Sequence, residues 1–199
     1  IKLIAEKLNV PLTIMPIAFF KESIGHSRLF EEDHIDTSNG GISGAELAIE
    51  WVPARNLIFL SIAAGYAEAH NFDYIILGGN LEESSAFVDN EYIFQKKFGE
   101  LLPHALNLNA QVKILTPVGN LMKHEIVKMG VELGAPLKDT WSCYKNLDHP
   151  CGACGPDFLR RMGFKMNGWI DPQANDPESP FWESCSTLVK TDTSWEVVQ

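Results

Sequence analysis

Two short apolar segments, Asp73 to Leu77 and Val112 to Leu115, restrict the fold more than anything else in this chain. Each follows a helical stretch, and each stops at a turn signal, Gly78-Gly79 after the first and Thr116-Pro117 after the second. Short β-branched runs bounded in this way read as strands, and strands alternating with helices make a parallel sheet with helices on both faces. The expected fold class is therefore α/β, a doubly wound parallel sheet. Ligands of such sheets bind beyond the carboxyl ends of the strands. That places Gly78-Gly79-Asn80 and Thr116-Pro117 at the candidate site.

The remaining elements follow from periodicity. Residues 2–9 read as a helix with Leu3, Ile4 and Leu8 on one face, ended by Asn9 and Pro11. Leu12 to Ile17 reads as a short strand, and the polar, Gly- and Ser-rich residues 21–46 as a long loop. Arg55 to about His70 is apolar around much of its circumference, the pattern of an interior helix. Residues 91–106 and 122–133 read as amphipathic helices, the second closed by Gly134 in the usual left-handed position. A cysteine loop fills 140–157, a short basic helix 158–167, and the remainder reads as an irregular Pro/Asp/Ser-rich tail.

Composition narrows the function. A net charge of −10 makes the chain a poor binder of nucleic acid or anionic membrane. No apolar run approaches the roughly 20 residues of a membrane span. Three of the four cysteines crowd into one stretch, as Cys143-x7-Cys151-x2-Cys154. A disulfide framework would spread its cysteines. A cluster reads as metal binding in a reducing compartment, hence a cytoplasmic protein. Zinc wants a fourth ligand, and the candidates are Asp157, Cys185, His149 and Asp148, with Asp157 first because it continues the Cys-x2-Cys-x2 rhythm. Three further segments carry chemistry. Arg55 and Asn56, in the first turn after Trp51-Val52-Pro53-Ala54, sit where a helix start suits phosphate or carboxylate; a solvated Arg is the equal alternative. The loop from Asn80 through Glu82, Glu83, Ser84 and Ser85 to Asp89 is rich in acceptors for a polar heterocycle or Mg²⁺, or is a solvated acidic loop. Lys123 opens a helix at the strand ends, where a cation stabilises a departing phosphate, although most lone lysines are surface residues.

Together these segments resemble the 7-cyano-7-deazaguanine synthase family of the PP-loop ATP pyrophosphatase superfamily. The segments that match are Val52-Pro53-Ala54-Arg55-Asn56, Gly78-Gly79-Asn80, Thr116-Pro117 with Leu121, Lys123 and Glu125, Thr140-Trp141-Ser142-Cys143-Tyr144, and Cys151-Gly152-Ala153-Cys154. The resemblance implies an adenine nucleotide alpha hydrolase-like, Rossmann-like fold with a zinc-binding C-terminal subregion. It implies conversion of 7-carboxy-7-deazaguanine, ammonia and ATP to the nitrile preQ0 in queuosine biosynthesis. By the same carry-over, Lys123 and Arg55 are the catalytic candidates. Arg55, Asn56, Asn80, Glu83, Ser85 and Asp89 bind substrate or nucleotide. Cys143, Cys151, Cys154 and Asp157 hold a structural zinc, with ATP as co-substrate and Mg²⁺ beside it. The implied partners are small molecules; a homodimer is left open.

The chain departs from the family pattern at four places. Glu83 stands for an Asp, Ala86-Phe87-Val88-Asp89-Asn90-Glu91 replaces Gly-Tyr-Pro-Asp-Cys-Arg, and Asp157 replaces a cysteine. The family's Ser-Gly-Gly-x-Asp-Ser pyrophosphate loop is not among the 199 residues, so the expectation is a chain that does not turn over ATP by itself. The expected organisation is 1–139 for the nucleotide-binding unit without its first strand and phosphate loop, 140–170 for the zinc subregion, and 171–199 for the tail. Two alternatives stay open: a PP-loop enzyme for another substrate, as in phage DNA modification or defence, and a catalytically incomplete binding or assembly homologue.

Overall fold

A computed structural model describes residues 1–24, 51–84, 87–145 and 148–198. Helix α1 spans Lys2–Leu8 and is closed by Asn9 in the left-handed conformation, φ 51°, its N–H reaching the Ala5 and Glu6 carbonyls. The strand expected at 12–17 does not form. Those residues have no strand partner among the described ones, and Leu12, Ile14 and Met15 are exposed. Helix α2, Phe19–Ile24, occupies the start of the expected loop; the rest of that loop, 25–46, lies outside the described residues.

Helix α3, Arg55–Ala69, matches its expected span, but it is not buried all round. It buries one stripe, Asn56, Leu60, Ala64 and Ala67, and leaves Leu57 and Phe59 exposed. Strand β1, Tyr74–Ile76, and strand β2, Lys113–Leu115, pair in parallel, with Ile75 opposite Ile114. Successive side chains of a strand point to opposite faces. Ile75 and Ile114 therefore meet one core with Leu60, Ala64 and Ala67 of α3 and with Phe98 and Leu102 of α5, Tyr92–Ala105. On the other face Tyr74, Ile76 and Leu115 are exposed. The expectation of strands buried on both faces thus holds for one face among the described residues.

Two short elements lie between β1 and α5: helix α4, Leu81–Ser84, and a 3₁₀ turn, Val88–Asn90. After β2 comes α6, Lys123–Glu132, then Gly134 at φ 64°, as its position after the helix predicts. Helix α7 runs Gly155–Lys165, starting earlier than expected because Pro156 fits the first turn, where its missing N–H costs nothing. It packs against α6 and buries Phe164 almost completely, with Val127, Trp182 and Leu188 around it. A side chain of that size buried fully contributes about 1.5–3 kcal/mol.

The stretch expected to be an irregular tail is ordered into this second core. Pro180–Trp182 form a 3₁₀ turn, and strands β3, Thr187–Lys190, and β4, Trp195–Val198, pair antiparallel. The Thr191 and Ser194 hydroxyls bond each other across the hairpin turn, 2.7 Å. The Trp195 indole donates to the Ala135 carbonyl at 2.8 Å and ties the hairpin to the end of α6.

Candidate functional site

Two polar centres stand out. The first is built where the cysteine loop enters α7. One ligand atom from each of Cys143, Cys151, Cys154 and Asp157 lies within 4.8 Å of the others. Gly152 makes the turn between two of the cysteines at φ 70°, a conformation that favours glycine, and a Cβ there would also press on the end of the Arg161 side chain. The Cys151 and Lys145 N–H groups point at the Cys143 sulfur, 3.3 and 3.4 Å, and the Cys154 N–H points at the Cys151 sulfur, 3.3 Å. Such N–H···S contacts favour sulfur that carries negative charge. Burial acts the other way and pushes the Cys143 and Cys154 thiols up. Asp157 is almost wholly buried, and its oxygens accept from the Ser142 hydroxyl at 2.6 Å and the Gly152 N–H at 2.9 Å. Three thiols and one oriented carboxylate are a donor set that fits a metal ion. Cys185 packs instead against the Phe164 core, so of the fourth-ligand candidates Asp157 is the one placed with the cysteines.

The loop before this cluster is braced from behind. Arg160, on α7, pairs with Asp171 through two bonds, 2.6 and 2.9 Å, and also donates to the Thr140 hydroxyl and the Leu137 carbonyl. It thereby fixes the start of the Thr140–Tyr144 segment. Neither Arg160 nor Asp171 was singled out from sequence. The signal was a basic residue on the face that carries Asp157 and Phe164.

The second centre lies at the carboxyl end of β1. The Asn56 N–H, at the start of α3, donates to Asp89 Oδ2 at 3.0 Å, and the Asn56 side chain donates to the Asp89 carbonyl at 3.2 Å. Asp89 thus caps α3, which the left-handed Ala54 (φ 55°) has left without a side-chain cap of its own. Asn80 Oδ1 accepts from the Glu83 N–H, the Asn90 amide donates to the Asn80 carbonyl, and the Gln95 amide donates to the Asn90 carbonyl at 3.0 Å. All of Asn56, Asn80, Asp89, Asn90 and Gln95 are buried. Asn90 and Gln95 escaped the sequence reading. Gln95 shares the inward stripe of α5 with Phe98 and Leu102, and a polar residue on such a stripe was the available signal.

The predicted cations flank this network. Lys123 Nζ bonds Glu83 Oε1 at 3.0 Å, and its backbone N–H reaches Glu82 at 3.1 Å. Burial raises the Glu83 carboxyl, but Lys123, the Asn80 bond and Arg55 outweigh it and hold the group below the usual carboxylate range. The Arg55 guanidinium lies 5.6 Å from the centre of the Phe87 ring, which stacks on Trp51. Glu91, the acid at a position where an Arg was expected, precedes α5, and its carbonyl accepts from the Gln95 N–H. Ser85 lies outside the described residues. The structure therefore joins Asn56, Asn80 and Asp89 in one network and Glu83 with Lys123 beside it, while the cysteine cluster is a separate centre. The two are linked through packing, since α7 lies on α6, and Asn167 just beyond α7 donates to the His124 carbonyl at 2.8 Å. No helix among the described residues is long and apolar enough to cross a membrane.

Comparison with known proteins gives consistent matches. A family model described as queuosine biosynthesis protein QueC matches residues 1–168. A protein of Sulfurisphaera tokodaii named 7-cyano-7-deazaguanine synthase 2 is 51% identical over 86% of this chain and 37% of its own length. One of Saccharolobus solfataricus named 7-cyano-7-deazaguanine synthase is 48% identical over 89% of this chain and 38% of its own length. A protein of the same name from Sulfurovum sp. is 37% identical over 86% of this chain and 76% of its own length. The chain thus spans under two-fifths of the length of the first two relatives and about three-quarters of the third.

Proposed function

The chain belongs to the queuosine biosynthesis protein QueC family, and we propose on that premise that the protein makes 7-cyano-7-deazaguanine from 7-carboxy-7-deazaguanine, ammonia and ATP. The observation that carries the reading is the 51% identity to a relative of that name over 86% of this chain, a span that includes most of the residues discussed above. A carboxylate is a poor electrophile. ATP converts one carboxylate oxygen into a phosphate-type leaving group, and ammonia displaces it to form the C–N bond of an amide. A second activation, of the amide oxygen, lets the amide lose that oxygen and two protons to become the nitrile. The protein is then an ATP-dependent carbon–nitrogen ligase.

The residues support distinct parts of this chemistry. Lys123 and Arg55 are cations at the strand ends, suited to the phosphates of ATP and to the charge that gathers on the leaving group. Glu83 holds Lys123 in place, and the nucleotide would compete for the same ammonium, with Mg²⁺ arriving alongside it. Asn80, Asp89 and Ser85 are the candidates for the polar edge of the deazaguanine. Zinc suits Cys143, Cys151, Cys154 and Asp157. With all four positions taken by protein it would serve structure, locking the 140–154 loop onto α7 and so bracing α6, on which Lys123 sits. The free cysteines agree with a reducing, cytoplasmic setting. Calorimetry of the complete gene product tests the substrate. Both 7-carboxy-7-deazaguanine and its nitrile are expected to bind competitively. Failure of the folded protein to bind either one refutes the reading.

A further inference from the structure

A groove of about 520 Å³ runs between α5 and the edge of β2 that faces away from β1. Tyr92, Gln95 and Gly99 line its helix side, and Gln111, Ile114 and Thr116 its strand side. Thr116 lies just past the carboxyl end of β2, so one end of the groove meets the strand ends, where the polar network lies.

Gln95 joins the groove to that network. It lines the groove, yet only 3% of its surface is exposed. Its Nε2 is committed to the Asn90 carbonyl, and its Oε1 is buried without a hydrogen-bond partner. The amide packs close against Gly79, where a Cβ would sit 2.8 Å from Gln95 Nε2. At the inner end of the same short chain, Gln95 to Asn90 to Asp89, a second acceptor has no partner: Asp89 Oδ1, in a side chain 6% exposed. Buried acceptors left without donors are costly, and two in one chain call for an occupant that donates.

We propose that this groove is the entrance for the reaction's nitrogen donor, and that Gln95 Oε1 accepts an N–H bond of ammonia or its conjugate acid on the way to the strand ends. The proposal rests on the reading of the protein as a synthase that consumes ammonia. The chemistry of the acceptors selects the ligand. The unpartnered buried atoms of that chain are both acceptors, Gln95 Oε1 and Asp89 Oδ1. These hold ammonia through its N–H bonds and leave free the lone pair that must attack carbon. Water can take the same place, but the Asp89 carboxylate beyond it favours ammonium over neutral water, and ammonium gives up one proton to solvent before its nitrogen attacks carbon. A side entrance also lets ammonia arrive after ATP and the heterocycle have closed the strand-end site.

Steady-state kinetics of the complete gene product test this, with ammonium varied at constant ionic strength. Gln95→Leu removes the acceptor and should raise the KM for ammonium about tenfold, the worth of one hydrogen bond, while the KM values for ATP and 7-carboxy-7-deazaguanine stay within about twofold. Gly99→Met fills the groove without touching the network, because a Cβ at Gly99 meets only Ile114, at an ordinary 3.6 Å. It should raise the same KM selectively, and it decides the matter if Gln95→Leu does not fold. An ammonium KM unchanged in both variants, or all three KM values rising together, overturns the proposal and leaves the synthase reading standing. A folded wild type that forms no nitrile at any ammonium concentration overturns both.

Discussion

Removing the Asp171 carboxylate tests how the cysteine loop is held. Arg160 and Asp171 have side chains only 10% and 3% exposed, and they meet through two parallel bonds. Asp171→Ala deletes both bonds and leaves a guanidinium in a site with little access to water, facing the Thr140 hydroxyl, the Leu137 carbonyl and the Phe164 ring. It also frees the Gln173 N–H, which donates to Asp171 Oδ1 at 3.0 Å. Breaking a buried ion pair from one side costs about 3–5 kcal/mol. A direct Coulomb figure of about 4 kcal/mol, for unit charges ~4 Å apart at an effective dielectric constant of ~20, is of the same size. Against a total stability of about 5–15 kcal/mol this is a large share. For a chain of this length it lowers the Tm by roughly 6–20 °C. Urea unfolding followed by tryptophan fluorescence measures it as a fall in midpoint at unchanged slope. The double variant Arg160→Met, Asp171→Leu removes both charges and should recover most of the loss, because the stranded charge is the main cost. If Asp171→Ala costs under about 1 kcal/mol, the guanidinium finds compensation elsewhere and the bracing argument is refuted.

Three further expectations follow from the two centres. Cys154→Ser and Asp157→Ala should each lower bound zinc well below one equivalent by elemental analysis of protein purified without chelator, and chelation of the wild type should lower its Tm; full zinc retention in Asp157→Ala would return the fourth-ligand role to another residue. Asp89→Ala uncaps α3 and should cost about 0.5–2 kcal/mol in urea unfolding, while an unchanged midpoint would mean that the Asn56 N–H is satisfied otherwise. Glu83 is held below the ordinary carboxylate range by Lys123, so the stability it contributes is fully present above about pH 4.5 and is lost as the pH falls through its lowered value. Wild type minus Glu83→Gln should therefore show a stability difference that shrinks in acid, and a difference that grew in acid would contradict the pairing.

What the sequence made legible was whatever is encoded locally. Arg55–Ala69 and Tyr92–Ala105 were readable because their apolar spacing repeats every turn, and the cysteine centre because all its donors fall within 15 residues. Leu12 to Ile17 shows the limit. Its composition suits a strand, but a strand needs a partner, and an apolar run carries no record of one. The hairpin at 187–198 failed in the opposite direction. Its alternation was present, with Leu188 inward and Thr187 and Val189 outward, but the Pro- and Asp-rich stretch before it masked the pattern. Sequence order also hid roles that come from long-range contact. Asp89, a candidate for binding substrate, also caps a helix 33 residues earlier in the chain, a role that sequence order did not show. Gln95 and Asp171 carry no motif; only their burial reveals them.

The proposed reaction, a 7-carboxy group turned into a nitrile with nitrogen taken from ammonia, can be followed atom by atom. The most direct measurement incubates the complete gene product with ATP, 7-carboxy-7-deazaguanine and isotopically labelled ammonium, and follows the products by mass spectrometry. The account predicts a nitrile that carries the label, preceded by a labelled amide, and loss of both in Lys123→Ala. Consumption of ATP by the folded, zinc-loaded protein with the carboxylate returned unchanged would contradict it.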